Sequence, residues 1–386
     1  LSRNRLHYTW FRADEPKGAR LLEAAGLDGR TLPVVITEQG ETLIDPPDAD
    51  LAATLGLTTT PAGDFYDLVV IGGGPAGLAA AVYGASEGLD TVLIERTATG
   101  GQAGQSSRIE NYLGFPDGLS GAQLAERARR QAEKFSAEVI TAAEVVGLRV
   151  DGNARTVLLS DGRSIAARSV ILAMGVEYRE LEAAGCTDLT GAGIYYGAST
   201  SVAADCDGES VYVIGGANSA GQAAMNLSRY AKEVTIVSRR TLEDSMSHYL
   251  IQQIRATGNI TELPHTVVHA ATGDGHLEGI GLQNVRTGEC EEVPCGRMFI
   301  FIGAEPRTDW LDGVVARDDH GFILAGPDLR DVVGWTLDRA PHHLETSVPG
   351  VFVAGDVRAE SAKRVAAAVG EGSMAVMFVH RHLAEA

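Results

Sequence analysis

The chain has 386 residues, of which 45% are apolar and 22% charged, an ordinary composition for two or three packed globular domains. Asp and Glu outnumber Lys and Arg by 51 to 32, so the formal net charge is −19. This charge argues against nucleic acid and against an anionic membrane as partners, because both bind basic surfaces. No apolar run reaches the length of a membrane span and no signal-peptide pattern is visible, so we expect a cytoplasmic protein.

Residues 1–58 form the first predicted region. HYTWFRAD predicts a strand, EPKGARLLEAAG a helix, LPVVIT and GETLIDP two strands, and DADLAATLGL a closing helix. This order, with Leu32-Pro33 before VVI, resembles the later part of a glutaredoxin-like domain of the thioredoxin fold, in which that proline is cis and lies beside redox cysteines. The first strand and the active-site turn of such a domain would lie upstream of Leu1. No cysteine precedes position 186, so we expect a redox-silent α/β domain for docking or dimerisation, followed by a linker at 59–64.

The strongest pattern begins at FYDLVVIGGGPAGLAAAVYGASEGLDTVLIER. Residues 67–71 have the composition of a buried strand, and Gly72, Gly74 and Gly77 complete G-x-G-x-x-G before an Ala-rich helix. Gly72 allows the tight turn, Gly74 lets the backbone approach a pyrophosphate, and Gly77 lets helix and strand pack closely. The helix N-terminus offers N–H groups to the phosphates, and Glu95, at the end of the next strand, can accept a hydrogen bond from a ribose hydroxyl. This context predicts a dinucleotide-binding fold.

A second strand–turn–helix–strand pattern occupies SVYVIGGANSAGQAAMNLSRYAKEVTIVSRR. Gly215 takes the turn position and Ala220 the third position, but Ala217 stands where the second glycine would be and directs a methyl group toward any pyrophosphate. The second strand ends without an acid and is followed by Arg239 and Arg240. Basic residues there suit a 2′-phosphate and favour NADP(H) over NAD(H). The alternative is a degenerate copy that is kept for structure.

Near the C-terminus, TSVPGVFVAGDVRAESAKRVAAAVGEG carries a third cluster. Gly355 and Asp356 directly follow a short buried strand predicted at 351–354. In a chain that already holds a nucleotide fold, such an acid can bind a polyol hydroxyl. The Ala-rich helix after Arg364 would direct its N-terminus at a ligand.

Together these segments resemble the low-molecular-weight thioredoxin reductase type of FAD/NAD(P)H oxidoreductase, from about Phe65 to the C-terminus. Other matching segments are GGQAGQSSRIENYLGFP, ILAMG, FIGAEPRT and KRVAAAVGEG. The resemblance implies an α/β fold with two Rossmann-like three-layer domains, in which an FAD domain at 65–175 and 307–386 is interrupted by an NAD(P)H domain at 176–306. It also implies FAD and NADPH as cofactors, with NADH as the alternative, and a homodimer.

The resemblance also assigns binding residues to both cofactors. The FAD-binding residues would be Gly72, Gly74, Pro75, Ala76, Gly77, Glu95, Gly101, Gln102, Asn111, Ala173, Gly175, Gly355, Asp356, Arg364, Val365 and Ala366. The NADPH-binding residues would be Gly215, Ala217, Asn218, Ser219, Ala220, Arg239 and Arg240. No metal site is expected, because the histidines and cysteines lack ligand spacing.

The stretch GIYYGAST at 193–200 departs from the family pattern. The family's C-x-x-C follows a short strand here, and the aligned positions hold Gly197 and Thr200, which form neither a disulfide nor a thiolate. The cysteines, which show no redox spacing, are Cys186, Cys206, Cys290 and Cys295. The last two are expected to flank a hairpin.

Without a dithiol, electrons from NAD(P)H would pass through FAD directly to oxygen, a quinone, a ferredoxin-like protein or a small molecule. The strong negative charge weighs against a ferredoxin, because ferredoxins are usually acidic. The alternative is a flavin-binding protein with a decayed nicotinamide site that acts as a redox sensor or binds a partner. It is motivated by Ala217 and by the missing dithiol.

Overall fold

A computed structural model describes residues 7–106, 109, 111–196, 206–330 and 335–385. The chain divides into two compact units. The first comprises the described parts of residues 1–107, 119–176 and 306–386, and the second comprises those of 108–118 and 177–305. Within the described residues, no helix has both the length and the apolar character needed to cross a membrane.

The N-terminal part of the first unit is small. Its elements are α1 (Pro16–Ala24), β1 (Val34–Ile36), β2 (Thr42–Ile44) and α2 (Asp48–Thr54). The two strands pair antiparallel, and the Leu32–Pro33 peptide bond is cis. The strand predicted over HYTWFRAD is wrong, because residues 7–12 form no strand and Trp10 is 72% exposed. Aromatic residues favour a strand only where a neighbouring strand and a sheet face receive them, and here neither is present in the described region.

The main sheet of the first unit has a parallel part in the order β5–β4–β3–β8–β19, and β7 and β6 extend it antiparallel from β8. Its strands are β3 (Phe65–Ile71), β4 (Thr91–Ile94), β5 (Glu138–Ile140), β6 (Val145–Asp151), β7 (Ala154–Leu159), β8 (Ser164–Leu172) and β19 (Val351–Val353). All residues of β4 are buried, as is typical of a parallel strand covered on both faces.

Helices cover one face of this sheet. They are α3 (Pro75–Ser86), α4 (Gly121–Lys134) and α7 (Val365–Glu385). Their buried residues form one core with β3, β4 and β8, and a second core on the opposite face includes residues of β6, β7 and the segment 311–325. Helix α4 begins with a capping box, in which the Ser120 hydroxyl accepts a hydrogen bond from the backbone N–H of Gln123 over 3.1 Å.

The second unit repeats the parallel arrangement, with strand order β10–β17–β11–β12–β13. Its elements are β9 (Glu177–Tyr178), β10 (Ile194–Tyr196), β11 (Ser210–Ile214), α5 (Asn218–Leu227), β12 (Glu233–Ser238), α6 (His248–Ala256), β13 (Ile260–Pro264), β14 (Thr266–Thr272), β15 (Gly279–Asn284), β16 (Cys290–Pro294), β17 (Arg297–Ile300) and β18 (Ala304–Glu305). The predicted α/β fold with Rossmann-like sheets is confirmed.

A three-stranded antiparallel sheet, β14–β15–β16, completes the second unit. The hairpin predicted between Cys290 and Cys295 is wrong, because residues 290–294 form one strand and the turn lies before it, at 285–289. An exposed Cys290 and a buried Cys295 mark the two ends of this strand region.

Candidate functional site

The first glycine turn follows β3. Gly72 has a φ of 103°, and a Cβ there would lie 2.5 Å from the carbonyl oxygen of Ala173, which follows β8. A Cβ at Gly77 would lie 1.8 Å from the carbonyl oxygen of Gly72. Only glycine fits at both positions, so strand and helix meet at backbone distance. The buried Ala173 donates its N–H to the carbonyl oxygen of Ile71 over 2.8 Å, which joins β8 to β3 beneath the turn.

Helix α3 begins directly behind this turn, and its N-terminus has no cap. Gly74 is the N-cap residue in an extended conformation, and no side chain accepts a hydrogen bond from the first turn. Pro75 has no N–H, and the N–H of Leu78 donates to the carbonyl oxygen of Gly74 over 2.9 Å. The N–H groups of Ala76 and Gly77 therefore remain for a ligand.

The space in front of this N-terminus is lined by glycine. A Cβ at Gly74 would approach only the Cα of Gly101, at 4.0 Å, and Gly101 has a φ of 54°. The N–H of Gly100 donates to the carbonyl oxygen of Gly73 over 2.7 Å and ties the two loops together. Open space, unpaired N–H groups and the positive end of the helix dipole fit the pyrophosphate of FAD.

Glu95 follows β4 and lies beside the glycine turn. Its carboxylate accepts the N–H of Gly73 over 2.7 Å and the N–H of Thr97 over 2.9 Å. The hydroxyl of Thr97 donates to the same carboxylate over 3.2 Å. A carboxylate has about four acceptor sites, so Glu95 retains capacity for a ribose hydroxyl. The sequence did not indicate that Glu95 also supports the turn through Gly73.

Three other predicted FAD residues lie in loops. Gln102 precedes a short 3-10 helix (Ala103–Gln105), and Gly175 has a φ of 67° shortly after β8. Asn111 belongs to the segment 108–118, which clusters with the second unit. In this division, residues 108–118 interrupt the predicted FAD segment 65–175.

The C-terminal cluster contacts the start of α3. Gly355 has a φ of 79°, and a Cβ there would lie 2.9 Å from the Cβ of Ala76. The pKa of the neighbouring Asp356 is raised, chiefly by burial. Lys363 opposes this shift and Glu371 adds to it. A half-buried carboxyl group beside two helix N-termini can hold a polyol hydroxyl.

Helix α7 begins next to this turn. Val365 is its first residue, and the predicted neighbours Arg364 and Ala366 are exposed. Glu371, in the second turn of α7, was not predicted as a site residue, and its carboxylate accepts the N–H of Gly355 over 2.7 Å. Only the acid inside the GEG tripeptide could have drawn attention to it.

The second glycine turn, after β11, also needs glycine at its first position. Gly215 has a φ of 144°, and a Cβ there would lie 2.4 Å from the carbonyl oxygen of Phe301. Ala217 is the exposed N-cap residue of α5, with φ −93° and ψ 176°, and no side chain caps the helix. This extended conformation suits alanine, so Ala217 is not strained. Ala220 is fully buried and holds the third position.

The loop before α6 hydrogen-bonds to this turn, a contact that the sequence pattern did not predict. The hydroxyl of Ser245 donates to the carbonyl oxygen of Gly216 over 3.0 Å. The side-chain oxygen of Asn218 accepts the N–H of Ser247 over 2.8 Å, whereas Ser219 is exposed. The predicted residue Asn218 therefore supports the loop and leaves the backbone N–H groups of α5 available.

Two arginines follow β12. Arg239 and Arg240 are exposed, and neither forms an ion pair with any residue that the structure describes. A Cβ at Gly216 would lie 3.3 Å from the Cβ of Ser238, just as one at Gly73 would lie 3.1 Å from that of Glu95. Ser238 therefore occupies, beside the second turn, the place that Glu95 occupies beside the first.

Gly197 and Thr200 lie outside the described residues. Before them, Tyr195 stacks on Phe299 with ring centroids 5.5 Å apart, and the hydroxyl of Tyr196 accepts the N–H of Leu181 over 2.9 Å. These tyrosines therefore support the second unit. Among the described residues, no group of three or more His, Cys, Asp or Glu side chains is arranged to hold a metal.

None of the four cysteines, all of which the structure describes, forms a disulfide. Three of them are buried, namely Cys186, Cys206 and Cys295. Burial raises the pKa of Cys295 to about 12 and also raises the pKa of Cys186. Because the thiolate is the reactive form, these two thiols are poor nucleophiles.

The family model for pyridine nucleotide-disulphide oxidoreductases matches residues 66–372. The chain is 34% identical over 325 residues to a protein from Mycolicibacterium smegmatis named thioredoxin reductase, which covers 83% of this chain and 97% of that protein. It is 35% identical over 336 residues to the bifunctional thioredoxin reductase/thioredoxin of Mycobacterium leprae, with 85% and 69% covered.

Solved structures agree with these relatives. Thioredoxin reductase from Streptococcus pyogenes is similar with a TM-score of 0.72 and 32% identity, over 84% of this chain and 100% of that chain. Thioredoxin reductase from Giardia duodenalis has a TM-score of 0.70 and 25% identity, over 83% of this chain and 100% of that chain. The resemblance inferred from the glycine turns is confirmed at the level of the family.

Proposed function

The chain belongs to the thioredoxin reductase-like pyridine nucleotide-disulphide oxidoreductase family, and we propose that it passes electrons from NADPH through FAD to an acceptor that is not a disulfide. The chain is an FAD-dependent oxidoreductase, and its family uses FAD and NADPH. The observation that carries the finer proposal is the position of the cysteines. They stand at 186, 206, 290 and 295, so no two form a C-x-x-C, and the aligned dithiol positions hold Gly197 and Thr200.

In this proposal the first unit binds FAD. The N–H groups of Ala76 and Gly77 receive the pyrophosphate, Glu95 binds the adenosine ribose, and Asp356 binds the polyol chain. Bound FAD would supply reversible two-electron and one-electron transfer. The other proposed FAD residues line the remaining parts of the cofactor; they are Gly101, Gln102, Asn111, Ala173, Gly175, Gly355, Arg364, Val365 and Ala366.

The second unit would bind NADPH. The N-terminus of α5 receives the pyrophosphate behind Gly215, and Arg239 and Arg240 bind the 2′-phosphate. Neither arginine has an ion-pair partner among the described residues, which supports this role because a phosphate would not have to displace a described carboxylate. Ser238 supports it as well, because an acid at this place would repel the phosphate.

The proposed acceptor reaches the flavin directly and is oxygen, a quinone, a ferredoxin-like protein or a small molecule. The net charge of −19 disfavours an acidic ferredoxin among these. Cys186 and Cys295 are unsuited to replace the dithiol, because both are buried thiols with raised pKa values. We also propose that the protein acts as a homodimer and that residues 1–58 dock a partner or a second copy.

A second candidate is a flavin-binding sensor without nicotinamide chemistry, and Ala217 is the observation that favours it. The methyl group lies at the N-cap of α5, where a pyrophosphate would approach. The relatives named thioredoxin reductase offer a third possibility, in which the acceptor is thioredoxin.

The proposal is tested by counting electrons. Anaerobic titration of the yellow protein with dithionite will reduce it completely at one equivalent per flavin. An additional equivalent would reveal a redox-active disulfide and contradict the proposal. With NADPH present, thioredoxin disulfide will not be reduced; its reduction at an ordinary enzymatic rate would establish a thioredoxin reductase.

A further inference from the structure

The turn that carries Asp356 is fixed by backbone contacts on two sides. A Cβ at Gly355 would lie 2.9 Å from the Cβ of Ala76, in the first turn of α3. A Cβ at Gly372, in the second turn of α7, would lie 2.1 Å from the carbonyl oxygen of the same Ala76. Because α7 touches α3 at backbone distance, its axial position is fixed, and so is the side chain that precedes Gly372.

That side chain is Glu371, and it joins the two ends of the turn. One carboxylate oxygen accepts the N–H of Gly355 over 2.7 Å, just before Asp356. The other accepts from the guanidinium of Arg358 over 2.6 Å, two residues after Asp356. Arg358 also donates to the carbonyl oxygen of Ala359 over 2.8 Å. A single carboxylate therefore holds the backbone on both sides of Asp356.

This ion pair is shielded from water. The side chains of Arg358 and Glu371 are 13% and 14% exposed, and Arg358 has no other carboxylate partner among the residues that the structure describes. Its Nε atom is buried without a hydrogen-bond partner. Removing one member of such a pair leaves an uncompensated buried charge, which is far more costly than losing an exposed pair. The turn will therefore move or open when Glu371 is lost.

We propose that Glu371 is a positioning residue that fixes the turn carrying Asp356 against the N-termini of α3 and α7 and thereby sets the affinity for FAD. The inference rests on the proposed FAD-binding roles of Gly355 and Asp356. Its proposed effect on FAD passes through the turn and needs no contact between Glu371 and the cofactor.

Glu371 also acts electrostatically on Asp356, whose pKa it raises while Lys363 lowers it. Burial raises the pKa of Asp356, and the negative charge of Glu371 raises it further. A neutral residue at 371 will therefore lower the pKa of Asp356. The acid limb of FAD binding, where Asp356 takes up a proton, will move to lower pH.

The test uses the holoenzyme with three substitutions, E371Q, E371A and the control E133A. Glu133 also pairs with an arginine, Arg129, but at an exposed site on α4, so its loss removes an ion pair without touching the turn. FAD release is followed by flavin fluorescence in a dilution series, which gives Kd. Unfolding in urea with FAD in excess gives the stability of the same proteins.

E371Q, which keeps the shape and one acceptor, is expected to raise the Kd for FAD about tenfold, and E371A more, while E133A leaves it unchanged. The acid limb of the E371Q affinity profile is expected at lower pH than in the wild type. If E371A does not fold, E371Q carries the test alone.

An E371Q protein with the wild-type Kd overturns the inference. A raised Kd with an unmoved acid limb also overturns it, because Asp356 would then not be the group through which Glu371 acts on FAD binding. A wild-type protein that holds no FAD would overturn the proposed function, and this inference with it. If the wild type retains FAD and E371Q has the wild-type Kd for FAD, only this inference is overturned.

Discussion

The glycine turns at residues 72–77 and 215–220 can be compared position by position. Gly72 and Gly215 have φ angles of 103° and 144°, and a Cβ on them would lie 2.5 Å and 2.4 Å from a carbonyl oxygen. Both helices that follow start without a side-chain cap. The requirements of the backbone are therefore the same in the two units.

The two turns differ at positions where the backbone conformation does not require a particular residue. Gly74 and Ala217 are both extended N-cap residues, so either glycine or alanine is allowed there by conformation. Glu95 and Ser238 occupy equivalent places after the second strand, but only Glu95 hydrogen-bonds the turn. These differences at positions that would face a ligand, on a shared backbone framework, are consistent with the proposal that the two turns bind different dinucleotides.

The largest effect is expected from Gly72→Ala compared with Gly215→Ala. Each places a Cβ against a carbonyl oxygen at a positive φ, which costs roughly 2–4 kcal/mol of strain and displacement. G72A is expected to lose FAD on gel filtration. G215A is expected to keep FAD, measured as flavin absorbance per protein, and to lose NADPH binding. Loss of flavin from both variants would show that the sites are not separate.

Removing the Arg240 guanidinium should separate NADPH from NADH. Loss of charge-assisted hydrogen bonds to a phosphate costs about 1.5–3 kcal/mol, or roughly ten- to a hundredfold in Kd. R240A is expected to weaken NADPH by this factor, with NADH and FAD unchanged in fluorescence titrations. R229A removes another exposed arginine of the second unit and serves as the control. Equal weakening of NADPH by both variants would argue for general electrostatics.

Exchanging the two N-cap residues tests the cost of one methyl group. Ala217→Gly is expected to tighten NADPH roughly tenfold, about 1.4 kcal/mol, because the pyrophosphate gains room. Gly74→Ala is expected to weaken FAD by a similar factor without unfolding, since a Cβ there approaches only Gly101. Binding is measured by titration and stability by urea midpoint. If A217G binds NADPH with the wild-type affinity, the methyl group of Ala217 does not hinder NADPH binding.

Acid should lower the free energy of unfolding of the first unit, because this unit contains the buried His382. Burial, and next the charge of Arg155, lower the pKa of His382, while Glu345 and Glu385 oppose them and Arg339 adds to them. Because the folded pKa lies below the ordinary 6.5, the unfolded chain takes up the proton first, and stability falls as pH drops below 6.5.

The expected loss is roughly 1 kcal/mol for each unit of depression in pKa. His382→Leu is expected to flatten this slope in urea midpoints measured from pH 7 to 5, and the exposed His276→Leu is not. No histidine among the described residues of the second unit is buried, so FAD release should precede unfolding of that unit. An unchanged slope in H382L would contradict this assignment.

The sequence predicted those features of the fold that depend on local residue patterns. The apolar runs of β3 and β4, with the glycines that follow β3, indicated the α/β class. A buried strand, a glycine turn, a helix and a second buried strand are typical of a parallel dinucleotide-binding sheet. Long-range contacts could not be predicted from local patterns. The Glu371 carboxylate accepts a hydrogen bond from Gly355, 16 positions away, and the Ser245 hydroxyl donates one to Gly216, 29 positions away. The aromatic stretch at 7–12 failed as a strand because strand formation depends on a partner that local composition does not reveal.

The central claim is that the second turn is a working NADPH site that feeds the flavin of the first unit. The most direct measurement is an anaerobic titration of the purified yellow protein with NADPH and then with NADH, followed by flavin absorbance. Bleaching by NADPH at lower concentration than NADH is the predicted result. A flavin that stays oxidised with both would contradict the claim and leave the second unit as a structural copy.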